Sequence, residues 1–320
     1  MQNIQTMASD LPALFQRYSK QAPVSPWKLA YWLGLPYIAY RFNRYLSYRA
    51  LNNGVTDTFD WQNEIILITG GSNGIGAACA QMLASKGTQV VVLDVLPLTY
   101  EAPKNLHYYR CDLTNFDEVE SVAVTVTREV GAPTCVVANA GICRGKPLLE
   151  ATKRDIELTF GVNSLGLLWT IKTFLPPLAE KNHGHFVIVA SQTGHLATAG
   201  VVDYAATKAA ALAIYEGLQT ELRHIYKAPA VRISCVSPSA VSTKMFTGIK
   251  LPPSLQPLQP LDVGSAIAEI LWSGRAQNIM LPASAYISPI TRALPDWLRI
   301  GLQEFGKDVM TDLNPHDPLD

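Results

Sequence analysis

Tyr204 and Lys208 stand four residues apart in "YAATK". On a helix that spacing puts both on one face, where they can address one ligand. A phenol of ordinary pKa, about 10, is a poor proton acceptor at neutral pH, and an ammonium beside it favours the phenolate. The pair therefore has the residue types needed to move a proton, although either residue read alone is equally a surface side chain. Ser191 lies 13 residues before Tyr204, at the end of the apolar run "HFVIVAS", and Asn163 lies in "FGVNSLG".

The stretch "TGGSNGIG" at residues 69–76 could cradle a phosphate or be only a tight bend. Its context favours the cradle. An apolar run rich in β-branched residues, "EIILIT", ends at Thr69; Gly70 lets the chain turn, Gly74 lets backbone approach a pyrophosphate, and Gly76 lets the next helix pack closely. The start of that helix offers free N–H donors and a positive dipole end to an anion. Asp94 closes the next apolar run, "QVVVLD", where a carboxylate can accept hydrogen bonds from ribose hydroxyls and repel a 2′-phosphate.

Positioning these groups requires a sheet whose strands all end on one side. Further strands are predicted at 107–113, 134–141, 185–191 and 231–237, with a last one at 278–282, and helical stretches separate most of them. This alternation predicts an α/β fold, a doubly wound parallel sheet of Rossmann type with helices on both faces.

The spacing of Gly70, Gly74 and Gly76, together with Ser191, Tyr204 and Lys208, resembles the short-chain dehydrogenase/reductase family over roughly residues 62–285. The resemblance implies hydride exchange between a substrate carbon and a nicotinamide, with Tyr204 giving or taking the proton. It further implies that Ser191 holds the substrate oxygen, that Lys208 also binds the nicotinamide ribose, and that Asn163 supports a water-linked proton path. The cofactor positions it marks are Gly70, Ser72, Asn73, Gly74, Ile75, Gly76, Asp94, Asp112, Asn139, Tyr204, Lys208 and Thr243. Related enzymes that use NADPH often carry a cation at the positions held here by Ser72, Asn73 and Val95. NAD(H) is therefore expected, with NADP(H) as the alternative. "ANAG" at 138–141 departs from the usual "NNAG" at Ala138, and Pro238-Ser239 replaces the usual Pro-Gly. The stretch at 174–195 is similar to the membrane-associated retinol and 17-beta-hydroxysteroid dehydrogenase branch. That likeness implies a small apolar alcohol or carbonyl substrate and a location at the endoplasmic reticulum or lipid droplets, with a cytosolic catalytic domain.

Composition excludes other classes. Zero formal net charge offers no field for nucleic acid. Five cysteines without metal-ligand spacing read as core thiols of a reducing compartment, and His183, His185 and His195 as turn or packing residues, so no metal is expected.

Three regions are expected: an arm and linker at 1–60, the catalytic domain at 61–285, and a C-terminal amphipathic segment at 286–320. In the arm, the uncharged stretch 29–40 has 12 residues and contains Pro36, against roughly 20 needed to span a bilayer. Trp27, Tyr31, Trp32 and Tyr37, followed by Arg41, Arg44 and Arg49, suit a membrane or lipid-droplet interface. A helical arm packed on its own domain or on a second copy, making a homo-oligomer, is the other reading. At the far end Ile290, Leu294, Trp297, Leu298, Leu302 and Phe305 recur at helical spacing, with Pro295 starting a fresh helix. The stripe is expected to pack in the core; a membrane-facing or substrate-capping element is the alternative. Met245, Phe246, Ile249 and Leu251, in the loop 243–260, are expected to flank an apolar substrate cleft. The leading expectation is an alcohol/carbonyl oxidoreductase. Its rivals are an NADPH-dependent ketoreductase of lipid or natural-product synthesis and a nucleotide-binding lipid-surface scaffold without turnover.

Overall fold

A computed structural model describes residues 26–252 and 256–313, without the side chains of residues 26–30 and 33; Trp27 therefore falls outside the described side chains. The chain divides into two compact units, Met1–Ala50 and Leu51–Asp320. The division falls ten residues before the expected end of the linker, and residues 286–313 belong to the second unit.

Helix α1, Pro26–Leu51, runs through Pro36, and all its residues but the last belong to the first unit. Its exposed aromatics run the length of the described helix, Phe42, Tyr45 and Tyr48 interleaving with the arginines. Tyr31, Trp32, Tyr37 and Tyr40 are exposed in the earlier turns. Arg41 and Arg44 then fold back one turn, their guanidinium groups donating to the hydroxyls of Tyr37 (3.2 Å) and Tyr40 (3.4 Å) and lying over the rings. No helix among the described residues is long and apolar enough to cross a membrane.

The second unit is built on seven parallel strands: β1 Ile65–Thr69, β2 Gln89–Asp94, β3 Leu106–Arg110, β4 Cys135–Ala138, β5 His185–Val189, β6 Arg232–Pro238 and β7 Asn278–Leu281. Their order is β3-β2-β1-β4-β5-β6-β7. The near-continuous apolar runs follow from burial on both faces. Leu67, Val91, Val136 and Phe186 face one hydrophobic cluster, while their neighbours Ile66, Val90, Val137 and Val187 face another. The first cluster is closed by helices α3 (Phe116–Glu129), α5 (Gly166–Lys181) and α6 (Val202–His224). The second is closed by α2 (Gly74–Ser85) and α7 (Pro260–Ser273).

Strand order reverses between β1 and β4, so the crevice at their carboxyl ends is where such a sheet can seat a ligand. Two departures from simple alternation matter there. Helix α4 (Lys153–Phe160) runs into α5 through a π-helical turn, Gly161–Leu165, which carries Asn163. The connection from β2 to β3, residues 95–105, contains no helix and is close to the shortest crossover that parallel strands admit, about a dozen residues.

The C-terminal stripe corrects the expectation of core packing. Pro295 caps helix α9, Asp296–Phe305, separating it from the short α8, Ser288–Thr291, and α9 contains no buried residue. Ile290, Trp297, Leu302 and Phe305 are exposed, with Trp297 at 75% and Phe305 at 79%, and Leu294 and Leu298 are half-buried. The segment is held by polar contacts instead. The guanidinium of Arg292 donates to the carbonyls of Gly194 (2.7 Å) and His195 (2.8 Å), and the Gln303 amide donates to Ala197 (3.1 Å). The apolar anchor comes later, at Met310 and Leu313, which are buried.

Candidate active site

The glycine turn is forced by what surrounds it. Gly70 has φ +66°, and a β-carbon there would lie 2.8 Å from the Ala140 α-carbon. A β-carbon on Gly76 would strike the Gly70 carbonyl oxygen and lie 2.7 Å from the Asn139 amide nitrogen. Asn139 fixes the same turn from the end of β4, its amide donating to the carbonyls of Thr69 (3.1 Å) and Gly70 (2.9 Å). The Thr69 hydroxyl accepts from the N–H groups of Asn139 and Ala140, both at 3.1 Å. Helix α2 therefore starts at the crevice, and its cap residue Asn73 makes no side-chain cap bond. First-turn N–H groups without a capping side chain, beside glycines that admit close backbone approach, suit a dinucleotide pyrophosphate.

A cavity of about 480 Å³ runs from this turn across the ends of the strands. Gly70, Asn73, Gly74, Ile75, Asp94, Asp112, Asn139, Ser191, Tyr204, Lys208 and Thr243 line it. Three of the expected residues lie behind its wall. Ser72 is fully buried, its hydroxyl donating to the Leu96 carbonyl (2.7 Å). Gly76 is packed under the turn. Asn163 is buried in the π-helical turn, where it behaves as a surrogate backbone: its Oδ1 accepts from Ile142 N–H (2.8 Å) and its Nδ2 donates to the Ile142 carbonyl (2.8 Å) and to Thr207 Oγ1 (3.0 Å). A small cavity of about 10 Å³ lies among Thr69, Asn163, Thr170 and Lys208, roughly the room one water needs.

At the end of β2 both Asp94 oxygens accept backbone hydrogen bonds, from Ser72 N–H (2.9 Å) and Leu96 N–H (3.1 Å). Asp112 accepts from the Thr114 N–H and hydroxyl at 2.9 and 2.8 Å.

Ser191, Tyr204 and Lys208 are all buried. Lys208 Nζ donates to the Val189 carbonyl (2.9 Å) and lies 5.8 Å from the centre of the Tyr204 ring. Burial lowers the Lys208 pKa from 10.5 to about 8, with nearby Cys235 and Cys143 acting against that shift. The Tyr204 phenol moves upward, chiefly through burial and secondarily through Cys143; a hydrogen bond with Ser191 offsets part of this. Burial thus disfavours the phenolate, and Lys208 is the nearby ammonium that can oppose it.

Part of the cavity wall is apolar. Met245 and Phe246 line the cavity together with Leu158 and Val162. Behind them Cys143, Val201 and Tyr204 form a cluster with Met310 and Leu313, and Met245, Phe246, Ile249 and Val309 pack on it. Leu251 is only half-buried and residues 253–255 lie outside the described residues. Lys250 N–H donates to the Val309 carbonyl (3.0 Å), and its side chain pairs with Asp312. The histidines are engaged elsewhere, His183 with Asp57 and Glu64 and His185 with Ser234.

The arrangement of turn, cavity and buried tyrosine and lysine has clear kin. The family model described as short chain dehydrogenase matches residues 64–252. The chain belongs to the short-chain dehydrogenase family. It is 37% identical over 195 residues to Dehydrogenase RED2 of Cochliobolus heterostrophus, covering 60% of this chain and 74% of that one. It is 33% identical over 244 residues to human Estradiol 17-beta-dehydrogenase 11, covering 73% and 80%. It is 32% identical over 230 residues to Retinol dehydrogenase 10-B of Xenopus laevis, covering 62% and 67%. These names match the retinol and hydroxysteroid dehydrogenase branch expected from the sequence. A solved short chain dehydrogenase from Burkholderia cenocepacia, in complex with NADP, shares the fold with TM-score 0.65 at 24% identity, covering 77% of this chain and 99% of that one. The chain is thus an oxidoreductase of a family that binds NAD(P).

Sequence reading missed Thr69 and Thr207 as supports of the site, although both stand beside singled-out residues. Thr207 Oγ1 donates to the Tyr204 carbonyl (2.7 Å) while accepting from Asn163, joining two otherwise separate segments.

Proposed function

We propose that this dehydrogenase interconverts an apolar alcohol and its ketone or aldehyde, with Tyr204 as the proton-transferring group and NAD(H) preferred. The observation that carries the reading is the continuity of one cavity from the uncapped helix and Asp94 to Tyr204, Ser191 and the apolar wall of Met245 and Phe246.

Bound nicotinamide supplies the hydride donor or acceptor. The chain's own residues do the rest. The glycine turn and the start of α2 take the pyrophosphate, Asp94 meets the ribose hydroxyls, and Thr243 stands by the nicotinamide end. Ser191 hydrogen-bonds the substrate oxygen. In the reducing direction the neutral Tyr204 phenol donates its proton to that oxygen; in the oxidising direction it must first lose one. Lys208 then stabilises the phenolate by its charge, and the pocket beside Asn163, Thr170 and Lys208 has room for a water to pass the proton onward.

Helix α1 fits an interfacial arm, its exposed aromatic turns entering the headgroup zone and Arg41, Arg44 and Arg49 facing anionic lipid. A protein held there meets a membrane-dissolved substrate at high local concentration. The test is a panel of steroid, retinoid and fatty alcohols and their carbonyls, offered with each cofactor and read by nicotinamide absorbance. Turnover of at least one, with higher kcat/KM for NAD(H), is expected; preference for NADP(H) would overturn the cofactor assignment. Deleting residues 1–50 should release the protein from membranes and spare activity on a soluble surrogate alcohol. Full-length protein found soluble in cells would remove the interfacial role.

A further inference from the structure

The crossover from β2 to β3 does more than connect strands. Because residues 95–105 form no helix, their backbone N–H groups are not spent on helical hydrogen bonds, and the segment folds back onto the glycine turn. Thr99 donates to the Ser72 carbonyl twice, from its N–H (3.2 Å) and from its hydroxyl (2.7 Å). The Tyr100 hydroxyl donates to the Gly71 carbonyl (2.9 Å), and the Ser72 hydroxyl returns a bond to Leu96 (2.7 Å). Ser72 N–H and Leu96 N–H both end on Asp94. The result is a closed ring of hydrogen bonds through turn, carboxylate and crossover. It leaves little slack: a β-carbon on Gly71 would lie 2.7 Å from a Val92 methyl. Tyr100 is half-buried, and burial together with Asp94 raises its pKa to about 12, so its hydroxyl stays a donor throughout the working pH range.

We infer that Thr99 and Tyr100 are positioning residues for cofactor choice: by pinning the peptides on either side of Ser72 they hold the Asp94 carboxylate at the adenosine end, where it receives two ribose hydroxyls and cannot swing aside for a 2′-phosphate. The inference rests on the proposed reading of the cavity as an NAD(H)-preferring site. It assigns discrimination to the fixed position of the carboxylate as well as to its charge. Neither residue lies in the cavity wall, so each acts on the cofactor only through the turn and Asp94.

The test uses Tyr100→Phe, Thr99→Val and the double variant in the full chain. NADH and NADPH dissociation constants are measured by direct fluorescence titration, with thermal melting and kcat at saturating NADH alongside. Loss of these side-chain hydrogen bonds predicts a rise in the NADH Kd of about tenfold or more in the double variant. NADPH binding should weaken less, so that the ratio of the two narrows, while kcat at saturation stays within about twofold of wild type on the same reading of cofactor-only action. Tyr100→Phe preserves the ring and guards against misfolding, and alone should show a smaller shift in the same direction. Unchanged NADH affinity in the double variant, or an equal loss for both cofactors, overturns the inference while leaving the NAD(H) reading intact. Wild-type protein that binds NADPH more tightly than NADH, or binds neither, overturns both.

Discussion

The two ends of the cavity are built by opposite means. At the cofactor end, residues 69–76 and Asp94 lie within a single strand-turn-helix-strand unit, and backbone geometry dictates their types: a β-carbon at Gly70 or Gly76 has nowhere to go. At the substrate end the wall is assembled from distant segments. Phe246 meets the Tyr204 ring edge-on with centroids 6.0 Å apart, and Met310 and Leu313 close the cluster from the far end of the described chain. Local backbone demands can be read from spacing. Long-range packing cannot, because many apolar residues fill such a wall equally well.

Substitutions at the two ends should therefore fail differently. The largest effect is expected for Gly76→Val, whose side chain would run into the Gly70 carbonyl and the Asn139 amide. NADH affinity should fall by about 100-fold or more, consistent with a turn forced open against packed backbone; an affinity within threefold of wild type would mean that the turn is not the binding site. Leu313→Ala acts at the other end. Truncating a buried leucine costs about 2–5 kcal/mol where the site cannot collapse, and here the loss should appear as a lower melting temperature and a several-fold higher KM for an apolar substrate. NADH affinity should not change. If the melting temperature and KM both stay put, the C-terminal segment is not part of the substrate wall.

The third expectation is a pH profile. The folded pKa of Lys208, lowered to about 8 from 10.5, means that the unfolded state binds the extra proton between those values. Burying Lys208 is thus costly below about pH 8, and that cost is relieved as pH rises from 8 towards 10.5. Activity should move the other way: kcat/KM for carbonyl reduction should fall as pH passes about 8 and Lys208 loses its charge, with Lys208→Arg shifting or removing that limb. A limb that stays in place in Lys208→Arg would assign it to another group. The smallest effect marks the contrast with Gly76. Gly301 in α9 has nothing within 4 Å of a β-carbon, so Gly301→Ala should raise stability by about 0.5–1 kcal/mol, read by denaturant titration, and leave binding untouched.

Much of this fold was legible in the sequence. The parallel strands, the doubly wound sheet and the turn at 69–76 all follow from apolar runs and glycine spacing. The π-helical turn at Asn163 was not, because one extra backbone residue leaves no mark in hydrophobic periodicity. Nor was the Thr99–Tyr100 clamp, whose partners lie 27 and 29 residues earlier and which only a missing helix brings into reach. The exposed stripe of α9 shows the reverse error. Helical spacing at Trp297 and Phe305 identified a face correctly, but periodicity says nothing about what the face meets, and here Pro295 and the anchors at Arg292 and Gln303 turn it outward.

The central claim, that Tyr204 moves the proton in hydride exchange on an apolar alcohol or carbonyl, is tested most directly by Tyr204→Phe. Single-turnover oxidation of an alcohol that the wild-type protein accepts is followed by NADH fluorescence, with the NADH dissociation constant measured on the same preparation. The ring that packs against Phe246 is kept and only the hydroxyl is lost, so NADH should bind as tightly as to wild type while turnover falls by about 10²–10⁴-fold, the usual worth of a positioned proton-transfer group. Turnover within a few-fold of wild type, at unchanged cofactor affinity, would contradict the account.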